Sequence, residues 1–261
     1  MTKISIVMPT KNSEKYICQA IDSVQMQSFI DWELLVCDSN STDNTIKIIK
    51  QKIKIDKRIK IVSFEDSCVA EALNKGFKSA CGKIFSWLNS DDFYTSREVF
   101  KIVNDSFYDK HNHDYLVGDF FNVDVTGNKF RSFISYLPIS KLDKKFYLNQ
   151  IFTGSLFFTN NSFQKFKGFN LKYKYAFEYD LLVYLLKNYI GKHKNYFFSS
   201  FRISNHQISS NKLKLKAELF EILKFYNLKY SNSKFLRLKC YLKQGSLLRF
   251  LFYKIHDILR Y

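Results

Sequence analysis

Over the first ninety residues of this 261-residue chain, short apolar runs of strand type alternate four times with segments of helical period. Ile4 to Met8 reads as a buried strand closed by Pro9, and a helix fits Glu14 to Gln27 with Tyr16, Ile17, Ala20, Ile21 and Val24 along one face. Trp32 to Cys37 is the second strand, and Ser41 or Thr42 is placed to cap a helix whose stripe is Ile46, Ile49 and Ile53. Ile59 to Phe64, a helix over Ala70 to Ala80 stopped by Gly82, and Ile84 to Leu88 complete the series. Such alternation implies a parallel sheet with helices on both faces. Polar residues collect after three of these strands, at Thr10 to Asn12, Asp38 to Asp43 and Asn89 to Asp92. In a parallel sheet these loops share one edge, where open α/β sheets bind ligands.

The last loop is the most pointed, because Ile84 to Leu88 delivers the adjacent carboxylates Asp91 and Asp92 at a strand end. Two neighbouring acids resist joint ionisation, and a hard divalent cation with oxygen ligands is a usual way of holding both. An Asp-Asp pair in a polar turn is also a common solvated loop, so its meaning depends on its surroundings. The crevice has the shape of a nucleotide site. Neither Gly-x-Gly-x-x-Gly nor a phosphate loop ending in Gly-Lys-Ser/Thr is present, so a bound phosphate would be neutralised by metal or side chains.

Beyond Tyr94 the pattern changes. A helix fits Ser96 to Tyr108, and Asp114 to Asp124 with Lys129 to Ser135 read as a hairpin about Thr126-Gly127-Asn128. Leu156 to Thr159 is a short strand, Phe163 to Phe166 one helical turn, and Phe177 to Leu186 an apolar helix with Glu178 and Asp180 in its first turn. Acids there suit the positive end of a helix dipole irrespective of function. Tyr196 to Ile203 is a late strand leading to His206.

The formal charge is +17, and twelve Lys or Arg against three acids lie between Asn211 and Tyr261. No helix-turn-helix or RNA-reading motif accompanies the charge, so nucleic acid is not the expected partner. Lys234, Arg237, Lys239, Lys243 and Arg249 alternate with Phe, Leu and Tyr, which suits either docking on an anionic membrane surface or a helical cap with a basic outer face. Five cysteines, at 18, 37, 68, 81 and 240, lack Cys-x-x-Cys spacing and read as reduced thiols of a cytoplasmic protein. No run reaches the roughly 18 apolar residues of a membrane span.

The ordered series IVMPTKN, WELLVCDSNSTDNT, EALNKGFKSACG, FSWLNSDDFY and GFN followed by FEYDLL resembles the family 2 glycosyltransferases, nearest to the branch that builds bacterial surface polysaccharides. The resemblance implies an α/β GT-A fold: a Rossmann-like nucleotide-sugar half of mostly parallel sheet at about residues 1–95, an acceptor half at about 96–210, and a basic helical extension at 211–261. It implies inverting transfer of a single sugar from a nucleotide-diphosphate sugar, with Mn²⁺ or Mg²⁺, to a glycan or lipid-linked acceptor at the inner face of the plasma membrane.

By the same match, Pro9, Thr10 and Asn12 lie under the nucleotide base, Asp38 accepts a hydrogen bond from it, and Asn74 belongs to a nucleotide-binding Asn-x-Gly segment. Asp91 lies nearer the ribose and Asp92 on the metal, with His206 as a further metal ligand or a plain loop histidine. Glu178 takes the place of the catalytic base, and Asp180 is the second choice. Phe177 replaces one acid of a common pair and Leu73 stands where an arginine is frequent, which leaves a second reading: a degenerate subunit that binds sugar nucleotide, or scaffolds an assembly complex, without turnover.

Overall fold

The computed structural model describes residues 3–63, 65–108, 113–137, 145–147, 151–204, 211–231, 241–242 and 246–259. Strands β1 (Ile4–Thr10), β2 (Trp32–Asp38), β3 (Ile59–Ser63) and β4 (Ile84–Trp87) alternate with helices α1 (Ile17–Gln25), α2 (Thr45–Ile55) and α3 (Val69–Ser79). β1 pairs in parallel with β2 and β4, and β2 with β3. Both faces are covered, and so these strands read as continuous apolar runs. Along β1, Ile4, Ile6 and Met8 enter a cluster with Ile17, Ile21 and Phe100, whereas Val7 enters another with Phe77, Trp87 and Leu181. That is the two-residue alternation of a strand buried on both sides.

The remaining elements are β5 (Phe93–Tyr94), α4 (Val99–Phe107), β6 (Tyr115–Val123), β7 (Lys129–Phe133), β8 (Lys145–Tyr147), β9 (Leu156–Thr159), α5 (Asn160–Phe166), α6 (Phe177–Asn188), β10 (Gly191–Arg202), α7 (Lys212–Phe225), β11 (Lys229–Ser231) and α8 (Leu247–Leu259). The main sheet runs β3-β2-β1-β4-β9-β6-β10-β5, with β7 on β6, while β11 pairs separately with β8. β6 and β7 form the expected antiparallel hairpin. β10 is longer than the sequence suggests, because Gly191 to His193 already pair with Tyr115 to Val117, ahead of irregularities on either side of Phe197. α1 begins later than expected, since Tyr16 and Ile17 donate to the Ser13 carbonyl in a turn.

The C-terminal helices are tied to the same body. Leu219, Ile222 and Leu223 of α7 join the cluster around α6. α8 lays Leu247, Phe250 and Tyr253 against Ile134, Tyr136 and Phe197. Its Arg249 reaches the buried Asp119 at 2.8 Å, beside His193 at 2.7 Å, so this cation points into the protein and not toward a headgroup layer. Lys234, Arg237, Lys239 and Lys243 lie outside the described residues.

Candidate active site

Three loops meet at the carboxyl edge of β1, β2 and β4, and backbone and side-chain hydrogen bonds join them. Ser39 N–H donates to the Thr10 carbonyl, Ser13 N–H to Thr45 Oγ1, and Ser13 and Ser90 share a hydroxyl contact at 2.8 Å. Asn12 adopts a left-handed φ of 47°, receives Thr42 N–H on Oδ1 and donates its own N–H to Ser41 Oγ. Asp38, 1% exposed, accepts from the Ser41 N–H and hydroxyl. Ser41 and Thr42 therefore brace the crevice and do not cap α2, whose preceding residue Asn44 makes no side-chain cap. The Thr10 hydroxyl is buried with no hydrogen-bond partner among the described residues.

The acidic turn sits alongside. Asp92 is 1% exposed; its Oδ1 accepts from the Arg202 N–H at 2.8 Å and its Oδ2 from Asn89 Nδ2 at 3.0 Å. Burial, and then the charge of Asp91, hold its carboxyl well above the usual carboxylate range. Asp91 is half-buried, and burial raises it too, against its own amide and the Arg202 charge. Among the described residues, no other residue donates a hydrogen bond to the Asp91 carboxylate. The resemblance implies a metal at the Asp91–Asp92 pair, Asp92 on the ion and Asp91 nearer the ribose; in the structure both Asp92 oxygens already accept hydrogen bonds within the protein.

Arg202 is the organising residue that sequence reading passed over. Fully buried, it donates from Nε to the Asp91 carbonyl, from Nη1 to the carbonyls of Asp124 and Val125, and from Nη2 to Gln19, with its guanidinium carbon 4.4 Å from the Tyr16 ring centroid. A lone arginine inside the apolar run YFFSSFRI was the available signal, since a buried guanidinium demands acceptors.

Glu178 opens α6 beside Thr153, and desolvation pushes its carboxyl up to about 7, opposed by the Thr153 hydroxyl. Asp180 is committed elsewhere: Tyr226 donates to its Oδ1 at 2.9 Å, under α7. Burial raises Asp180 as well, with the Tyr226 hydroxyl and then Lys172 opposing. Asn74 also has a different environment from that expected, because its amide accepts from the Phe169 N–H at 2.8 Å and donates to the Phe169 carbonyl at 2.9 Å. It ties α3 to the Gly168-Phe169 turn. Pro9 lies within β1, paired with Cys37, and Thr10 ends the strand opposite Asp38. His206 lies outside the described residues.

The profile of glycosyl transferase family 2 matches residues 5–202. The chain belongs to this family. A Haemophilus influenzae protein described as an uncharacterized glycosyltransferase is 32% identical over 226 residues, 85% of this chain and 88% of that one. The Escherichia coli UDP-Glc:alpha-D-GlcNAc-diphosphoundecaprenol beta-1,3-glucosyltransferase WfgD is 29% identical over 225 residues, 84% of this chain and 85% of its own. Among solved structures, Staphylococcus aureus TarS 1-349 with UDP-GlcNAc superposes with a TM-score of 0.65 at 20% identity, covering 86% of this chain. This chain spans 65% of that one, just under two thirds. The mannosyltransferase PcManGT of Pyrobaculum calidifontis, with GDP-Man and Mn²⁺, gives 0.62 at 16% identity, over 92% of this chain and 69% of that one. The glycosyltransferase thus has the GT-A fold, with a helical C-terminal extension.

Proposed function

We propose that this glycosyltransferase moves a single sugar, with inversion, from a uridine diphosphate sugar to a hydroxyl of a lipid-linked or glycan acceptor in the synthesis of a surface polysaccharide. The observation that carries the reading is the presence, beside an acidic turn at the crevice edge, of a separate half-buried carboxyl, Glu178, poised near neutrality. Single displacement needs a base on the face opposite the departing diphosphate, and a carboxyl of pKa about 7 is matched to taking a hydroxyl proton at cellular pH. Asp180, bonded to Tyr226, is less suited to that task. The relatives named for UDP-glucose transfer and for poly(ribitol-phosphate) N-acetylglucosaminyl transfer support the donor and the setting.

A divalent cation fits the site through Asp91. Among the described residues, no three His, Cys, Asp or Glu side chains converge, yet Mg²⁺ and Mn²⁺ sites commonly take one or two carboxylates and fill the rest of the shell with phosphate oxygens and water. When bound, such an ion supplies Lewis-acid stabilisation of the leaving diphosphate. Asp92 and Arg202 hold the turn so that Asp91 is presented, and Thr10, Asn12 and Asp38 shape the floor for the nucleoside.

Phe177 and Leu73 motivate the degenerate reading by departing from the family pattern. Both are packed core residues, Phe177 edge-on to Phe169 at 5.6 Å and Leu73 fully buried, so neither leaves a hole in the site. The test is binding and slow hydrolysis of UDP-, GDP- and CMP-sugars with Mn²⁺, Mg²⁺ or chelator. Metal-dependent hydrolysis of a UDP-sugar is expected; tight binding without turnover, even with lipid acceptors, would favour the scaffold.

A further inference from the structure

Four phenylalanines, on β6, β7, β10 and the segment before β9, form a shelf that belongs to none of the three apolar clusters of the described core. Phe120 and Phe133 stack at 4.8 Å with planes 3° apart, Phe152 leans on Phe120 at 5.4 Å, and Phe201 lies 4.8 Å from Phe152. Phe120 is buried, whereas Phe133, Phe152 and Phe201 keep part of their surface exposed. The shelf touches both halves of the site in sequence: Phe201 precedes Arg202, which holds the acidic turn, and Phe152 precedes Thr153, which lies at Glu178. Gly154 permits this placement, because a Cβ there would stand 2.7 Å from Phe152 Cε1.

Two polar groups border the rings. Asn122 pairs in register with Phe201 on β10 and with Arg131 on β7, and its Oδ1 is buried with no hydrogen-bond partner among the described residues. A buried amide oxygen without a donor is costly unless a ligand supplies one. Arg131 is exposed, and its guanidinium carbon is 4.8 Å from the Phe133 ring centroid. Aromatic walls with a few fixed polar groups are the usual make-up of a small-molecule site. The C–H face of a pyranose packs on the electron-rich face of such rings, and a guanidinium beside them suits phosphate.

We infer that Phe120, Phe133, Phe152 and Phe201 form the acceptor platform, on which a pyranose ring lies with a hydroxyl donating to Asn122 Oδ1 and a phosphate on its anomeric carbon within reach of Arg131. This rests on the glycosyltransferase reading above and assigns the acceptor's place in that site. An uncharged glycan end would use the rings and Asn122 alone; a diphosphate-linked sugar would use Arg131 as well.

The test measures transfer to methyl glycopyranosides and to sugar 1-phosphates, with UDP-sugar donor and Mn²⁺, alongside donor Kd on the same samples. Phe152→Leu keeps apolar bulk without the ring, and it and Asn122→Ala are expected to raise acceptor KM roughly tenfold. Donor Kd should stay at the wild-type value, and Phe152→Tyr should restore acceptor binding. Arg131→Ala should weaken the 1-phosphates only. An unchanged acceptor KM in Phe152→Leu, or a parallel loss of donor affinity, would overturn the platform. So would a wild-type enzyme that binds and hydrolyses donor yet transfers to no pyranoside, with the parent reading left standing. Failure of the wild type to bind any donor would overturn both.

Discussion

The backbone N–H of Arg202 donates to Asp92 Oδ1 at 2.8 Å across 110 positions of sequence, while the same residue's Nε–H holds the Asp91 carbonyl. One buried residue at the end of β10 thereby fixes the turn that follows β4. Replacing it with Ala would leave the Asp91, Asp124 and Val125 carbonyls without these donors and the acidic pair without its counter-charge. A loss of about 3–5 kcal/mol is expected. Lys keeps the charge but cannot fork to four acceptors, so Arg202→Lys should also lose stability, by at least about 2 kcal/mol, in urea unfolding. Unfolding midpoints equal to wild type would remove Arg202 from its organising role.

The two aspartates should separate in their phenotypes. Asp92→Asn sets an amide N–H₂ against a donor, either Arg202 N–H or Asn89 Nδ2, and should cost about 1–3 kcal/mol of stability. Asp91→Asn should leave unfolding nearly unchanged while abolishing Mn²⁺-dependent donor binding, read by calorimetry with and without chelator. The reverse pattern would place the metal on Asp92.

Much of this architecture is legible in the sequence, because β1 to β4 are buried on both faces and their apolar runs stand out between polar loops. The convergence of Asn12, Asp38 and Asp91 follows from parallel topology alone. What escapes is the partner of each polar group. Asn74 looks like a ligand-binding side chain until its amide is seen on the Phe169 backbone, and Arg202 carries no local pattern that names its acceptors. His193 sits in an unremarkable stretch, yet the fold brings it to Asp119 and Arg249, 74 and 56 positions away by numbering. Periodicity reports which face of an element is buried; it does not report which side chain from a distant element meets it there.

The Asn74 bridge makes its own prediction. Gly168 has φ +89°, and a Cβ there would lie 2.8 Å from Asn74 Oδ1. Gly168→Ala therefore strains the backbone and pushes on the bridge, at about 1–3 kcal/mol. Asn74→Ala should cost a similar amount by orphaning the Phe169 N–H and carbonyl. Because both changes break one link, the double variant should lose less than the sum of the two singles. Strict additivity in denaturant unfolding would show that they act independently.

Glu178 sets the pH behaviour. In its proposed role as base it must be ionised, so acceptor kcat/KM should rise with pH up to about 7 and level above it, and Glu178→Gln should lower the plateau by about 10²–10⁴. Stability should move the other way. With the folded pKa raised from 4.5 to about 7, the folded state holds the proton more tightly than the unfolded chain, so stability falls as pH rises through that window and stays reduced above it. Glu178→Gln should therefore unfold at higher denaturant than wild type at about pH 8 and match it at about pH 4. A pH-independent difference between the two proteins would detach the titration from Glu178.

The outer face of α8 gives the membrane expectation a specific form. Leu247, Phe250 and Tyr253 pack inward, while Leu248 and Phe252 are 81% and 62% exposed, with Leu251 and Ile255 beside them. No helix among the described residues is long and apolar enough to cross a membrane, so this row is suited to lying in an interface. The net charge of +9 between residues 211 and 261 would add attraction to anionic headgroups. Arg249 is excluded from that attraction by its contact with Asp119. Sedimentation with anionic vesicles should therefore show binding that weakens as salt rises and falls with neutral lipid. The Leu248→Ser, Phe252→Ser double variant should lose at least about tenfold in affinity, since burying each side chain contributes about 1.5–3 kcal/mol. Both residues point away from the core, so unfolding should be unaffected. Binding that persists in the double variant and vanishes in salt would assign the association to charge alone, and α8 would then be a cap on the catalytic domain.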